Sequence, residues 1–147
     1  MNKLLIKQVS ILSAIFGAFL GLFGLVPFVR NISFITLALF LAPVVIIYLK
    51  KLNILQKITI QDGMIIGAIS GVVSLIGYAV VFTVLDLLLA MFIKDGFIWW
   101  IASLIKSGGF FVYGMLVFFI CVLNAVTNAF AGLTTADVYD FLKTVKD

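Results

Sequence analysis

The sequence predicts an all-α integral membrane protein with four transmembrane helices, arranged as two hairpins. Of its 147 residues, 65% are hydrophobic and 11% are charged, whereas soluble domains contain about 45–50% apolar residues. The mean hydropathy is +1.33. Four spans of about 20 residues each would use most of the chain and leave only short connections. We therefore predict a single polytopic membrane domain over residues 1–147.

The first hairpin is predicted from apolar runs at residues 9–28 and 32–49. The first run ends at a polar break that contains Pro27, and Asn31 is a candidate N-cap for the second helix. Because so few residues separate the two runs, the spans should pack as close neighbours. Pro43 lies inside the second span, where it removes a backbone donor, so we expect a bend that neighbouring helices cover.

The second hairpin is predicted from longer apolar runs. The third span covers residues 63–92, with Asp62 as its expected cap. At 1.5 Å per residue it would be about 45 Å long, which exceeds the hydrocarbon core of about 30 Å. It should therefore tilt or project from the bilayer. The fourth span, residues 110–130, follows the glycine pair Gly108 and Gly109.

Two short helices are expected outside the spans. Residues 97–106 are too few to cross the bilayer, and they include Trp99 and Trp100, a residue type that favours membrane interfaces. We expect an interfacial or re-entrant helix there. Residues 134–146 have apolar side chains at helical spacing, with Thr134 as a candidate cap. We expect a separate amphipathic helix there, and we favour packing on the membrane surface over docking to a partner.

The composition argues against catalysis and against metal or cofactor binding. The chain has no His and a single Cys, and its six acidic residues are all Asp. Haem ligation by His and multi-thiolate zinc or iron–sulfur sites are therefore excluded. No catalytic base stands near a nucleophile, and no phosphate-binding Gly–Lys motif is present. We expect a protein that is not an enzyme and that has no cofactor and no metal.

Basic residues at the ends of the spans predict the orientation in the membrane. With the N-terminus inside, seven of the ten Lys and Arg residues lie in cytoplasmic segments and three lie outside, as the positive-inside rule favours. The net charge of +4 then reflects topology, and we expect no nucleic-acid partner. The first run lacks a convincing signal cleavage site. We expect a multi-pass protein of the cell membrane with both termini in the cytoplasm.

Small residues recur at helical spacing in the first and third spans. Residues three or four apart share a helix face, and a face of small side chains lets two backbones approach closely in lipid. We expect these faces to pack helices within the chain, with contact between copies as the alternative. The small residues are Gly17, Gly21 and Gly24 in the first span, and Gly63, Gly67, Gly71 and Ser74 in the third.

The same two spans share a sequence match. Residues 15–25 align with residues 65–75 at Ile, Ala, Leu and two Gly positions. Both spans would run in the same direction, so the match is compatible with a parallel repeat of two hairpins, as in some transporters. Apolar sequence of low complexity also produces such matches by chance, so both interpretations stay open.

Polar residues inside the spans are the candidates for a functional path. Asp86 is an acid within the third span, where a mid-bilayer charge costs about 2.5–3.5 kcal/mol on insertion scales. Its place near the outer end of the helix favours a carboxylate that is solvated, or paired with Lys94 or Arg30, over a coupling role. In the fourth span, polar side chains on one face favour helix packing over a pore lining. The face consists of Tyr113, Cys121, Asn124 and Asn128, and Thr127 lies beside it.

These observations support two hypotheses about function. The favoured one is a non-catalytic packing or assembly protein, which associates with itself or with a larger membrane complex through its glycine faces. The alternative is a small oligomeric channel or transporter for an ion or small solute, with Asp86, Asn124 and Asn128 lining the path. In both, the chain lies in the lipid bilayer as a homo-oligomer or as part of a membrane-protein complex.

Overall fold

The computed structural model describes residues 3–55, 58–93 and 96–144, and for residues 96–100 and 143–144 it describes the backbone alone. All regular structure in these ranges is helical, and no strand occurs in them. Four helices are long and apolar enough to cross a membrane. The predicted all-α class and the number of candidate spans are therefore confirmed, and they indicate a multi-pass membrane protein.

The first hairpin joins α1, Lys3–Phe23, to α2, Pro27–Ile35. The predicted end of the first span at residue 28 is wrong, because Pro27 begins the second helix. Proline suits the first helical position, where its missing N–H would have no partner in any case and its fixed φ already matches the helix. Asn31 consequently lies inside α2 and does not cap it.

The second span is a composite helix with a π-helical segment in its middle. It consists of α2, the π segment Thr36–Phe40 and α3, Leu41–Lys51. Pro43 has no N–H to donate, and its ring crowds the carbonyl four residues earlier. The wider π turn immediately before α3 is a usual way to absorb such a disturbance. The second span is therefore distorted upstream of the proline, and the expected bend at Pro43 stays a prediction.

The third span, α4, is Ile60–Ala90, about 46 Å long at 1.5 Å per residue. It begins three residues before the predicted start, because Thr59 and not Asp62 is the N-cap. The Thr59 hydroxyl accepts a hydrogen bond from the Asp62 N–H at 3.1 Å, and the Asp62 carboxylate accepts one from the Thr59 N–H at 3.4 Å. This reciprocal capping box pairs two donors that the first turn would otherwise leave unsatisfied.

The last helix, α5, is Gly96–Thr144 with a break at Gly109, whose φ of 70° lies in the left-handed region. The break separates the segment with the predicted interfacial helix from the fourth span. The prediction of a separate helix at residues 134–146 is wrong, because the fourth span continues without interruption to Thr144. The hydroxyl of Thr134 donates to the carbonyls of Phe130 and Ala131 one turn earlier, so it does not cap a new helix.

Helix α4 lies between α1 and α5. Successive glycines of α1 lie against successively later residues of α4, so these two helices are parallel. Glycines of α4 lie against successively earlier residues of α5, so that pair is antiparallel. The contacts are Gly17 with Ser74 and Gly21 with Tyr78 for α1, and Gly63 with Gly132 and Gly71 with Asn124 for α5.

Two groups of buried apolar side chains fill the bundle. One joins α1, α3 and α4 around Val9, Val45 and Ile66. The other lies toward the opposite end of α4 and includes Tyr78 and Phe82. The second group borders the cavity described below, so it positions the walls of the candidate site.

Candidate functional site

One glycine face of α4 packs directly on the backbone of α5. A Cβ atom added at Gly63 would lie 2.5 Å from the Gly132 carbonyl oxygen, and one at Gly71 would lie 2.6 Å from the Asn124 carbonyl oxygen. At Gly67 the clash with the Asn128 carbonyl would be closer still. No real Cβ tolerates such distances to backbone, so these three positions admit only glycine without displacement of a helix.

The opposite face of α4 receives α1 in the same way. A Cβ at Gly21 would lie 2.9 Å from the Tyr78 carbonyl oxygen, and one at Gly17 would overlap the backbone of Ser74. Gly24 lies against the Tyr78 side chain. The predicted small-residue faces are therefore occupied by helix contacts within one chain.

Asn128 of α5 is fully buried and bonds to the distorted part of the second span. Its side-chain oxygen accepts a hydrogen bond from the Ala42 N–H at 3.0 Å. Its amide nitrogen lies 3.0 Å from the Leu37 carbonyl oxygen and 3.1 Å from that of Ala38. The π segment disturbs the regular backbone ladder here, and Asn128 supplies the partners that a membrane interior cannot.

Asn124 lies one turn before Asn128 and joins α5 to α4. Its amide donates to the Gly71 carbonyl at 2.7 Å, and its side-chain oxygen lies 3.2 Å from the Asn128 amide nitrogen. Both asparagines are thus engaged in helix packing. Thr127 is exposed and donates to carbonyls of its own helix, so these three residues do not line a common path.

A cavity of about 530 Å³ lies between α2, α4 and α5, within the size range of small-molecule sites. The π segment and α3 pack against α5, whereas α2 faces α5 across this space. The walls are mainly apolar. Four polar side chains contribute to the lining, and they are Arg30, Asn31, Tyr78 and Tyr113.

Arg30 is held at the cavity by the turn between α1 and α2. Its Nε donates to the Gly24 carbonyl at 3.0 Å, which ties the guanidinium to the end of the first hairpin. Across the cavity, the Tyr113 hydroxyl of α5 pairs with the Thr83 hydroxyl of α4. The cavity therefore combines apolar walls with a positioned basic group and two phenols.

Asp86 is fully buried on α4, with 0% of its surface exposed. It lies one turn after Phe82, a residue of the cavity wall. Neither carboxylate oxygen has a hydrogen-bond partner among the residues that the structure describes. Arg30 is the charged group that acts on this carboxylate electrostatically. Of the two expected alternatives, solvation is wrong, because the helices exclude solvent from Asp86. Pairing with Arg30 or Lys94 stays a prediction, and Lys94 lies outside the described residues.

The structure brings together only part of the predicted polar set. Asp86 and Tyr113 lie at the same end of the α4–α5 pair as the cavity, whereas the asparagines lie farther along α5. The sequence predicts Arg30 only as a possible partner of Asp86 and not as part of a binding cavity. Its signal in the sequence is that the chain has a single Arg, at the break between the first two apolar runs. The side chains of Trp99 and Trp100 lie outside the described part of the chain.

No protein-family model matches the chain, and neither curated proteins nor solved structures gave a match. Within the described ranges, no three potential metal ligands of the His, Cys, Asp or Glu type lie together.

Proposed function

We propose that the protein is a small membrane transporter that holds a solute in the cavity between α2, α4 and α5, with Asp86 as its proton-carrying group. The observation that carries this proposal is the buried Asp86 carboxylate without a hydrogen-bond partner among the described residues. Buried charges in proteins are ordinarily paired and hydrogen-bonded. Ionisable residues inside membrane spans mark proton relays and substrate paths by default.

The glycine contacts weigh against an assembly role that uses the predicted faces. Gly17, Gly21, Gly63, Gly67 and Gly71 already pack α1, α4 and α5 together. A second chain could reach these faces only if the bundle opened. Self-association or binding to a larger complex stays a prediction, and it would have to use a different surface.

The asparagine face is not part of the proposed path. Asn124 and Asn128 both bond to backbone groups of neighbouring helices, so their amides are committed to structure. The proposed path therefore includes fewer residues than the sequence predicts. It consists of the cavity, Arg30 and Asp86.

The proposal also includes the orientation of the chain and the membrane in which it lies. We propose a cell-membrane protein with both termini in the cytoplasm, which places the α1–α2 turn and the cavity toward the outer side. The support is the distribution of basic residues, among them Lys50 and Lys51 in the last turn of α3.

Proton flux into liposomes tests the proposal. The purified protein is reconstituted with a pH-sensitive dye inside, and proton entry is driven by a potassium diffusion potential. Wild-type protein should conduct protons above the rate of protein-free liposomes, and Asp86→Asn should return the rate to that background. Asp137→Asn is the matched control, because it makes the same chemical change at an exposed position of α5.

Two results would contradict this function. One is an unchanged rate in Asp86→Asn, which would remove the carboxylate from the mechanism. The other is a wild-type rate equal to that of protein-free liposomes under potentials of both signs.

A further inference from the structure

We propose that the cavity binds an amphiphilic organic monocarboxylate, with its carboxylate on Arg30 and its apolar tail between α4 and α5, and that binding brings one proton to Asp86. This inference rests on the proposed transport function and names its class of solute. The support comes from the composition of the cavity walls, from the position of Arg30, and from the charges around Asp86.

The walls fit an apolar tail. Most lining side chains are aliphatic or aromatic and come from three helices, so a flexible chain would be enclosed on several sides. Burial of such a chain is favourable by roughly 25 cal/mol per Å² of apolar surface. The residues that would contact it are Phe34, Ile35, Leu75, Phe82, Leu116 and Ile120.

Arg30 fits the carboxylate of the ligand. A guanidinium presents a planar set of N–H donors that matches a carboxylate in a two-point contact. The bond from Nε to the Gly24 carbonyl fixes the side chain at the cavity wall, so little ordering is required when a ligand binds. A neutral amphiphile of the same length would lack this contact.

Asp86 supplies the link to protons. Among the described residues, Arg30 from α2 is the charged group that acts on it, and the Tyr113 hydroxyl of α5 pairs with Thr83, three residues before Asp86 on α4. The basic residues of α1 in the described range, Lys3 and Lys7, lie near its start and so at the opposite end of the parallel α1–α4 pair.

Without ligand, the Arg30 charge stabilises the Asp86 carboxylate. A bound anion neutralises Arg30, and an isolated carboxylate in a low-dielectric interior is costly. Asp86 then takes one proton from bulk water. The complex then holds a paired cation and anion and a neutral acid, and release of the anion lets Asp86 give up its proton again.

Calorimetry in lipid nanodiscs tests this inference. The protein is placed in phosphatidylcholine nanodiscs and titrated with octanoate, in two buffers of different ionisation enthalpy, with empty nanodiscs as the blank. Octanoate should bind saturably with uptake of about one proton per site, as linkage between ligand and proton binding requires. Octanol, the neutral analogue, should bind at least about tenfold more weakly, a difference of about 1.4 kcal/mol.

Variants distinguish the contribution of Arg30 to octanoate binding from the contribution of Asp86 to proton uptake. Arg30→Gln should weaken octanoate binding at least about tenfold, whereas Lys7→Gln, which removes an exposed charge far from the cavity, should bind like wild type. Asp86→Asn should bind octanoate without proton uptake. If Arg30→Gln does not fold, Leu116→Trp is the second test, because a larger side chain in the wall should block the cavity and leave Arg30 intact.

Several results would overturn the inference. They are equal binding of octanoate and octanol, unchanged binding in the folded Arg30→Gln or Leu116→Trp variant, or binding without proton uptake. Loss of octanoate binding in nanodiscs that contain phosphatidylglycerol would also overturn it, because a lipid headgroup would then occupy Arg30. Octanoate binding without proton flux would contradict the transport function alone, and flux without octanoate binding would contradict this inference alone.

Discussion

At the scale of single residues, one asparagine decides whether the distorted second span can exist in lipid. Pro43 and the π segment disturb the local hydrogen-bond ladder, and Asn128 accepts from the Ala42 N–H and donates to two carbonyls of the π segment. An unsatisfied buried backbone group costs about 1–3 kcal/mol. The side chain therefore fixes the helix that forms one wall of the cavity.

Replacing this side chain with an apolar one of similar size should destabilise the protein. We expect Asn128→Leu to lower the free energy of unfolding by about 1–3 kcal/mol, because it leaves the Ala42 N–H unpaired. Equilibrium unfolding in detergent, followed by circular dichroism, measures this loss. Thr127→Val is the control, since its exposed hydroxyl bonds only to carbonyls of its own helix among the described residues. Equal stability of both variants would contradict the role of Asn128.

At the scale of elements, the part of α5 after Gly109 packs against the C-terminal end of α3. The Lys50 ammonium of α3 lies 3.5 Å from the centre of the Tyr139 ring, and Ala136 of α5 is fully buried. These contacts explain why the chain continues as one helix beyond the apolar run. The apolar side chains Val138, Phe141 and Leu142 remain exposed on this extension, as expected for a face toward lipid headgroups or a partner.

Removal of the Tyr139 ring should loosen this extension without unfolding the bundle. A cation–π contact contributes about 0.5–1 kcal/mol at an exposed site, so Tyr139→Leu should raise the opening equilibrium of the last helical turns about two- to fivefold. Hydrogen exchange of amides from residue 133 onward measures this change. Phe141→Leu, which alters an exposed aromatic ring two residues later, should leave exchange unchanged. Faster exchange in the control alone would contradict the proposed contact.

At the scale of the whole molecule, α4 is the helix on which the fold depends. Its two glycine faces place α1 and α5 in direct backbone contact with it. In lipid there is no hydrophobic drive between helices, so dispersion contacts and hydrogen bonds at short range hold the bundle together. The exposed aromatic side chains of α5, such as Phe111 and Phe118, point away from this centre, as expected for contact with lipid.

A methyl group added to the glycine face of α4 that packs on α5 should reduce the stability of the fold and leave assembly unchanged. We expect Gly67→Ala to cost at least about 1–3 kcal/mol of stability, because overpacking forces the backbones apart. Gly114→Ala is the matched control, since a Cβ there meets no atom within 4 Å. Native mass spectrometry and thermal unfolding of both variants test this prediction. A shift from oligomer to monomer in Gly67→Ala with unchanged thermal stability would show that the face joins separate chains.

The sequence by itself determined the helical class, the four apolar spans and the glycine faces, because composition and spacing along one helix decide these properties. Local backbone geometry and tertiary structure decided the rest. Two helix starts were misplaced, since Pro27 and Thr59 act through local geometry that apolar runs do not reveal. The separation of Asp86 from Asn128 depends on the antiparallel packing of α4 on α5, and the place of Arg30 in the cavity depends on the position of α2 opposite α4 and α5. Such contacts join residues far apart in the chain, and no pattern within a single helix specifies them.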